Sequence, residues 1–166
     1  GYSLAVGNGA ATAYELLEGP SYDLDGARQL ADELPTHPMQ IKEVTMVDDQ
    51  PVEVTAFGQF TDGNVRVESF AALLDRACSR AGAGADIFRR FVDLGSGQGV
   101  AVLTAWALFP FRACVGYELV PERNVAARAL ARSCLAKGFP TSSRKPIPTF
   151  VEGDFVKDID WSDASV

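Results

Sequence analysis

The stretch FVDLGSGQGV, residues 91–100, decides the fold that we predict for this chain. Four residues of strand character run into three glycines at alternate positions, Gly95, Gly97 and Gly99. Glycine tolerates the tight backbone of a strand-to-helix turn and lets a ligand come close to the main chain. The stretch therefore predicts a βαβ unit with a ligand-binding loop after its first strand.

The chain around this loop alternates between two kinds of secondary structure. Apolar and β-branched runs predict strands at 90–94, 113–118 and 149–152, and helical segments are predicted between them at 98–108 and 121–137. Alternating strands and helices are typical of a parallel sheet with right-handed crossovers. We therefore expect an α/β, Rossmann-like sheet of which this chain supplies the first three strands.

The residues before this unit follow a different pattern. A helix is predicted over 21–34, because Ser21 or Asp23 can cap it and four apolar residues share one face, namely Ala27, Leu30, Ala31 and Leu34. Two β-branched-rich runs at about 41–47 and 52–57 flank the turn DDQP and predict a β-hairpin. Helix and hairpin together indicate an α+β segment ahead of the sheet.

A second helix is predicted to begin near Val67, with one apolar side formed by Val67, Phe70, Leu74 and Cys78. Near the other end of the chain, Arg144 and Lys145 lie in a proline-rich stretch that we interpret as an exposed, solvated connector. We divide the chain into an N-terminal helical and hairpin segment, residues 1–60, and a partial Rossmann-like domain, residues 61–166.

The composition argues against several classes of function. The 166-residue chain is 47% hydrophobic and carries a formal net charge of −7, with 22 acidic and 15 basic residues. This acidic balance argues against direct nucleic-acid binding, and no apolar run approaches the length of a membrane span. Three widely spaced cysteines without a C-x-x-C pair, and a single histidine, argue against a metal site. We expect Cys78, Cys114 and Cys134 to be reduced, mostly buried thiols.

The glycine loop does not match the two common phosphate-binding patterns. A Walker loop ends in Gly-Lys-Ser/Thr, which is absent here. The dinucleotide fingerprint G-x-G-x-x-G, counted from Gly95, requires its third glycine where this chain has Val100. The loop also contains no basic residue, so it does not favour a pyrophosphate. A nicotinamide dehydrogenase, which is the alternative function for such a loop, would need a different glycine spacing.

Acidic and aromatic residues end or follow the next two predicted strands. Glu118 ends the second strand, where a carboxylate can accept hydrogen bonds from both hydroxyls of a ribose. Asp154 and Phe155 follow the third strand, where an acid can accept from an exocyclic amine and a ring can cover a purine. Asp93 would lie near an ammonium group or would hold the loop by accepting its backbone N–H groups. An adenosine site without a phosphate receptor predicts S-adenosylmethionine as the ligand.

The predicted cofactor-binding residues are therefore those of the loop and of the three strand ends: Asp93, Gly95, Ser96, Gly97, Gly99, Glu118, Asp154 and Phe155. Each has a structural alternative when taken alone. The loop could be a tight strand-to-helix turn, Glu118 a surface acid, and Asp154 a turn residue. Their order along three successive strands favours a binding site.

Three stretches resemble a known family: FVDLGSGQG, FPFRACVGYELVPERNVAARAL and FVEGDF with the later DWSDASV. They resemble the class I methyltransferases, especially the histone-lysine methyltransferases of the disruptor-of-telomeric-silencing type and their microbial and algal relatives. The resemblance extends from about residue 57 to the end. It implies S-adenosylmethionine as cofactor, a protein lysine as methyl acceptor and a nuclear location.

The sequence departs from this family at two places. The family's Tyr-Gly-Glu-x-Ser/Thr segment, which helps to close over the cofactor, corresponds to FGQFT, residues 57–61, without the tyrosine hydroxyl or the glutamate charge. By the resemblance, a fourth strand should begin where this chain stops, at Val166, so the first strand would be a bare sheet edge. A longer chain, the hairpin at 41–57 or a protein partner would cover it.

Two functional hypotheses follow from these observations. The first is a methyltransferase, for which we assign no catalytic residue because the family's acceptor side lies largely beyond the present segment. The second is a catalytically inactive, methyltransferase-like structural subunit of a larger protein assembly. FGQFT, the apparent truncation and the missing initiator Met favour the second. An organellar location is the alternative to a nuclear one if a leader has been removed.

Overall fold

A computed structural model of the chain describes residues 22–37, 39, 42–47, 50–55, 65–81, 88–140 and 145–158. For the two hairpin strands it describes the backbone only. The FGQFT segment, Arg144 and the WSDASV end lie outside the described residues, so the predictions made for them stay predictions.

From Val67 onward the described helices and strands alternate, whereas a hairpin of two strands precedes that residue. In chain order the described elements are α1 (Leu24–Glu33), β1 (Lys42–Val47), β2 (Gln50–Thr55), α2 (Val67–Ala81), β3 (Arg90–Leu94), α3 (Val100–Leu108), β4 (Ala113–Glu118), α4 (Pro121–Ala136), β5 (Thr149–Glu152) and α5 (Phe155–Asp158). None of the described helices is long and apolar enough to cross a membrane.

The three later strands form a parallel sheet in the order β3-β4-β5, which confirms the predicted α/β fold at that level. Asp93 lies opposite Gly116 on β4, and Gly116 lies opposite Phe150 on β5. Since all three strands run in one direction, their carboxyl ends share one edge of the sheet. This edge brings the glycine turn, Glu118 and the residues after β5 to the same side of the molecule.

The hydrophobic core lies between the sheet and the helices. α3 contacts β3 and β4, α4 contacts β4 and β5, and both α1 and α2 pack on α3. Every residue of α3 except Ala101 and Leu108 is buried, as expected for a helix that is apolar all round. Burying each large aliphatic side chain, such as Leu103, stabilises the fold by about 1.5–3 kcal/mol. This packing fixes the start of α3, and with it the glycine turn.

The two N-terminal helices form largely as predicted. Asp23 caps α1, because its Oδ1 accepts a hydrogen bond from the Gly26 N–H at 2.9 Å. In α2, the buried residues are Val67, Ala71, Leu74 and Cys78. Phe70, predicted on that face, is partly buried and meets Phe91 edge-on, with 6.1 Å between ring centroids. The helical period therefore identified the packed face correctly.

Three sequence predictions need correction. The second hairpin strand begins at Gln50 rather than 52, so that Pro51 pairs with Met46. Helix α3 begins at Val100 rather than 98, because the preceding glycines hold left-handed backbone. Lys145 is half-buried rather than solvated. Its Nζ donates to the Trp106 carbonyl at 3.0 Å and to the Phe109 carbonyl, two acceptors near the end of α3.

The cysteines agree with their predicted role. Cys78, Cys114 and Cys134 are all free and buried. Burial raises the pKa of the Cys114 thiol to about 12 and that of Cys134 to about 11. Thiols with such values stay protonated at neutral pH and are poor nucleophiles and poor metal ligands. They serve as small apolar groups of the core.

Candidate functional site

The glycine turn is anchored to the end of the neighbouring strand. Gly95, Gly97 and Gly99 have φ values of 72°, 53° and 82°, a left-handed backbone that favours glycine. The N–H groups of Gly95 and Ser96 both donate to the Tyr117 carbonyl of β4, at 2.8 and 2.9 Å. The Gly99 N–H donates to the Ser96 carbonyl at 2.7 Å. The backbone of the turn is therefore fixed before any ligand arrives.

The first and last glycines of the turn face different surroundings. A Cβ on Gly99 would lie 2.5 Å from the Phe150 ring and 3.1 Å from Ala127, so this glycine permits close packing of the helix on the sheet. A Cβ on Gly95 would meet nothing within 4 Å. Gly95 thus marks the side of the turn that a ligand can approach, whereas Gly99 marks the side packed against the core.

Glu118 joins the glycine turn to the start of α4. Its Oε2 accepts a hydrogen bond from the Gly97 N–H at 2.8 Å, and its Oε1 accepts from the Val120 N–H at 2.9 Å. The residue is 5% exposed, so the alternative that it is a surface acid is wrong. The predicted ribose acid therefore lies against the loop, in contact with its backbone.

Two residues of α4 support Glu118 from behind. Asn124 donates through Nδ2 to the Glu118 backbone carbonyl at 2.8 Å. The Arg123 guanidinium lies with Nη1 4.0 Å from Glu118 Oε1, and both side chains are 6% exposed. We did not predict either contact from the sequence. The available signal was the polar pair in PERNV, three and four residues into a helix that packs on the sheet.

Asp93 lies near the carboxyl end of β3, close to Glu118 at the end of the neighbouring strand β4. Burial, and then the charge of the Glu118 carboxylate, raise its pKa to about 6, while a backbone hydrogen bond at Leu94 opposes the shift. A carboxyl group with such a pKa gains from a cationic partner, because a positive charge would offset both causes of the shift. Asp93 is therefore chemically suited to pair with an ammonium group, as predicted.

Ser96 points its hydroxyl toward the sheet. A Cβ on Gly116 would lie 2.6 Å from Ser96 Oγ, so the missing side chain of Gly116 makes room for the serine. Ser96 is 7% exposed, and its Oγ has no hydrogen-bond partner within the part of the chain that the structure describes. Gly116 was not among the predicted site residues, although a glycine inside a strand often marks a close approach of backbone or side chain.

Asp154 and Phe155 lie just beyond β5, at the same edge of the sheet. The Gly153 N–H donates to the Glu118 carbonyl at 3.2 Å, which ties the end of β5 to the end of β4. Asp154 accepts from the Val156 N–H at 3.0 Å and pairs with Lys157 Nζ at 3.0 Å, and these contacts lower its pKa. Phe155 is 39% exposed at the start of α5. The four-residue helix α5 was not predicted.

The edge therefore combines three carboxyl groups, those of Asp93, Glu118 and Asp154, with a glycine turn and an exposed aromatic ring. In the described ranges, no three His, Cys, Asp or Glu side chains are grouped so that they could hold a metal ion. Such a set of groups can accept hydrogen bonds from hydroxyls and amines, and it favours a ligand with positive charge over a phosphate.

Comparison with known proteins does not assign the chain to a family. No protein-family model matches it. A search of curated proteins likewise finds no significant match.

Proposed function

We propose that the carboxyl edge of the β3-β4-β5 sheet binds S-adenosylmethionine and that the chain is a class I, Rossmann-like methyltransferase. The observation that carries the proposal is the hydrogen bond from the Gly97 N–H to Glu118 Oε2, 2.8 Å long. It joins a glycine turn to an acid from the next parallel strand, which is the arrangement expected of a ribose-binding site in an open α/β sheet.

Glu118 keeps hydrogen-bonding capacity for a ligand. A carboxylate has about four acceptor positions, and the Gly97 and Val120 N–H groups occupy one on each oxygen. The remaining positions can accept the two hydroxyls of a ribose. Bound adenosine would then lie beside the turn, where Gly95 leaves open space.

The positions of the other predicted residues are compatible with contacts to S-adenosylmethionine. Asp93 would pair with the ammonium group of the methionine tail. That positive charge would offset the burial and the Glu118 repulsion that raise the pKa of Asp93. Phe155 is exposed and can cover one face of the adenine. Asp154 would accept from the adenine amine only with the positions that Val156 and Lys157 leave open.

The reaction needs little covalent chemistry from the protein. The acceptor's lone pair forms a bond to the methyl carbon while the carbon–sulfur bond breaks, and its electron pair returns to sulfur as a neutral thioether. A lysine acceptor, which the family resemblance implies, must lose a proton before it attacks. The protein contributes orientation and desolvation, and we assign no catalytic base among the described residues.

Calorimetric titration with S-adenosylmethionine tests the cofactor half of this proposal. We expect micromolar affinity for the wild-type chain and no measurable heat for Glu118→Ala. Glu122→Ala is the matched control, because Glu122 is an exposed carboxylate in the first turn of α4. A folded wild-type chain that gives no heat contradicts cofactor binding.

A second candidate function is a non-catalytic, methyltransferase-like subunit of a protein assembly. Within the described residues, β3 pairs with β4 alone, and Leu94 at its end is 37% exposed. Edges and apolar side chains of this kind favour association with further protein. A folded chain that binds S-adenosylmethionine but transfers no methyl group to histone or other lysine substrates would favour this alternative.

A further inference from the structure

We propose that Arg123 is a positioning residue, which orients the Glu118 carboxylate so that one of its oxygens faces the glycine turn. The ligand-binding consequence rests on the proposed function. The positioning itself concerns only residues of this chain and can be tested without a ligand.

The pairing of Arg123 with Glu118 is buried. Both side chains are 6% exposed, and Nη1 lies 4.0 Å from Oε1. A buried charge is costly unless another charge or hydrogen bonds compensate it, and removing one partner leaves the other uncompensated. We therefore expect the orientation of the Glu118 carboxylate to depend on the guanidinium as well as on its two backbone hydrogen bonds.

The position of Arg123 in the first turn of α4 is unfavourable for a positively charged side chain if only the helix itself is considered. It is the third residue of α4, which begins at Pro121, and Val120 provides no side-chain cap. The N-terminus of a helix carries a partial positive charge, so a cation in the first turn is repelled. Features that contradict local preference are expected at functional sites, where another interaction compensates them. For Arg123, the carboxylate of Glu118 is a buried anion 4.0 Å away.

The contacts of Glu118 divide between its two oxygens. Oε1 is held on the side of α4 by the Val120 N–H and is the oxygen nearer Arg123, while Oε2 accepts from Gly97. Asn124 separately holds the Glu118 backbone carbonyl. Loss of the Arg123 charge should therefore leave the path of β4 in place and release the carboxylate from its orientation toward the turn.

The ligand-free test is the amide proton shift of Gly97, measured by NMR on the whole chain. Arg123→Met should move this resonance upfield, toward its position in Glu118→Ala, and Arg123→Lys should restore most of the wild-type shift. Arg128→Met is the matched control. It removes a hydrogen bond from α4 to the Phe150 carbonyl, 2.8 Å long, without touching Glu118, and should leave the Gly97 resonance unchanged.

The ligand test is calorimetry with S-adenosylmethionine on the same variants. We expect Arg123→Met to weaken binding about tenfold, Arg123→Lys to recover most of the loss, and Arg128→Met to bind as the wild type does. Arg123→Gln, which keeps a polar group without charge, decides the question if Arg123→Met does not fold.

An unchanged Gly97 resonance in a folded, uncharged variant overturns the positioning role, whatever the ligand does. A shifted resonance in variants of a chain whose wild type binds no S-adenosylmethionine supports the positioning role and overturns the proposed function instead.

Discussion

Two acids at the same edge of the sheet differ in where their hydrogen bonds go. Glu118 is buried and accepts from Gly97, 21 residues earlier in the chain. Asp154 is more exposed, and its bonds to Val156 and Lys157 are local, to residues two and three positions later. The first acid is therefore part of the tertiary structure of the turn, whereas the second caps a short helix. We therefore expect Glu118 to contribute more than Asp154 to the stability of this edge and to the proposed binding of S-adenosylmethionine.

Removal of the Glu118 carboxylate should produce the largest effect. Glu118→Ala leaves the Gly97 and Val120 N–H groups without their Glu118 acceptor and removes the carboxylate that lies beside the buried Arg123. Breaking one partner of a buried ion pair costs roughly 3 to 5 kcal/mol. We expect urea denaturation to report a loss of that size. A loss below about 1 kcal/mol, the value typical of an exposed pair, would mean that Glu118 is not a tertiary anchor.

The two ends of the glycine turn should respond differently to alanine. Gly99→Ala places a methyl group 2.5 Å from Phe150 on a left-handed backbone, so strain and overpacking should destabilise the fold by about 2 to 4 kcal/mol. Gly95→Ala adds the backbone strain alone, about 1 to 2 kcal/mol, since nothing lies within 4 Å of its Cβ. Chemical denaturation measures both losses.

The same pair of variants separates packing from binding. Gly95→Ala should weaken S-adenosylmethionine binding more than its stability loss suggests, because the new methyl group enters the open side of the turn. Equal stability losses for the two variants, or unchanged affinity in Gly95→Ala, would contradict the assignment of the two sides.

Asp93 should make stability and binding respond to pH in opposite directions. Its pKa is raised from 3.8 to about 6, so between these values the folded chain holds more protons than the unfolded chain. The free energy of unfolding should therefore fall by roughly 2 to 3 kcal/mol as pH rises from about 4 to above 6. Binding of a cationic ligand should strengthen over the same range, as Asp93 ionises.

Asp93→Asn isolates this contribution. Urea denaturation and calorimetry at several pH values should show that the variant lacks both dependences and is the more stable protein at neutral pH. If the stability of the variant and of the wild type changed with pH in the same way, the pKa of Asp93 would not be raised by burial and by Glu118.

Replacement of Asp154 should have the smallest effect on affinity. Its two oxygens already accept from Val156 and pair with Lys157, so Asp154→Ala should weaken S-adenosylmethionine binding only about two- to fivefold, the size of one modest net hydrogen bond. Calorimetry checks this, with Glu118→Ala as the comparison. Complete loss of binding in Asp154→Ala would reverse the relative importance of the two acids.

Most of the sheet could be predicted because its signals are local. The bounds of β3, β4 and β5 agree with the sequence prediction, since each strand is a short apolar run between turn residues. The position of Glu118 at the same edge as the turn followed from the general geometry of parallel sheets. Its hydrogen bond from the Gly97 N–H was not predicted, since Asp93 was the residue expected to accept from the loop. The roles of Arg123 and Gly116 likewise depend on tertiary packing, which residue spacing does not encode.

The errors have two physical origins. Lys145 looks solvated in a polar, proline-rich stretch, and only the fold places the end of α3 beside it. Helix α5, of four residues, is too short for a period to be recognised. The contacts of Lys145 thus escaped prediction because they depend on a second element of the fold, whereas α5 escaped because it is too short to show a period.

A crystal structure with S-adenosylhomocysteine tests the central claim most directly, because it locates the ribose. We predict both ribose hydroxyls at about 2.6 to 3.0 Å from the Glu118 oxygens, with the adenosine lying along the open side of Gly95. A ligand bound elsewhere, or a ribose that leaves Glu118 in contact only with Gly97, Val120 and Arg123, would contradict the account.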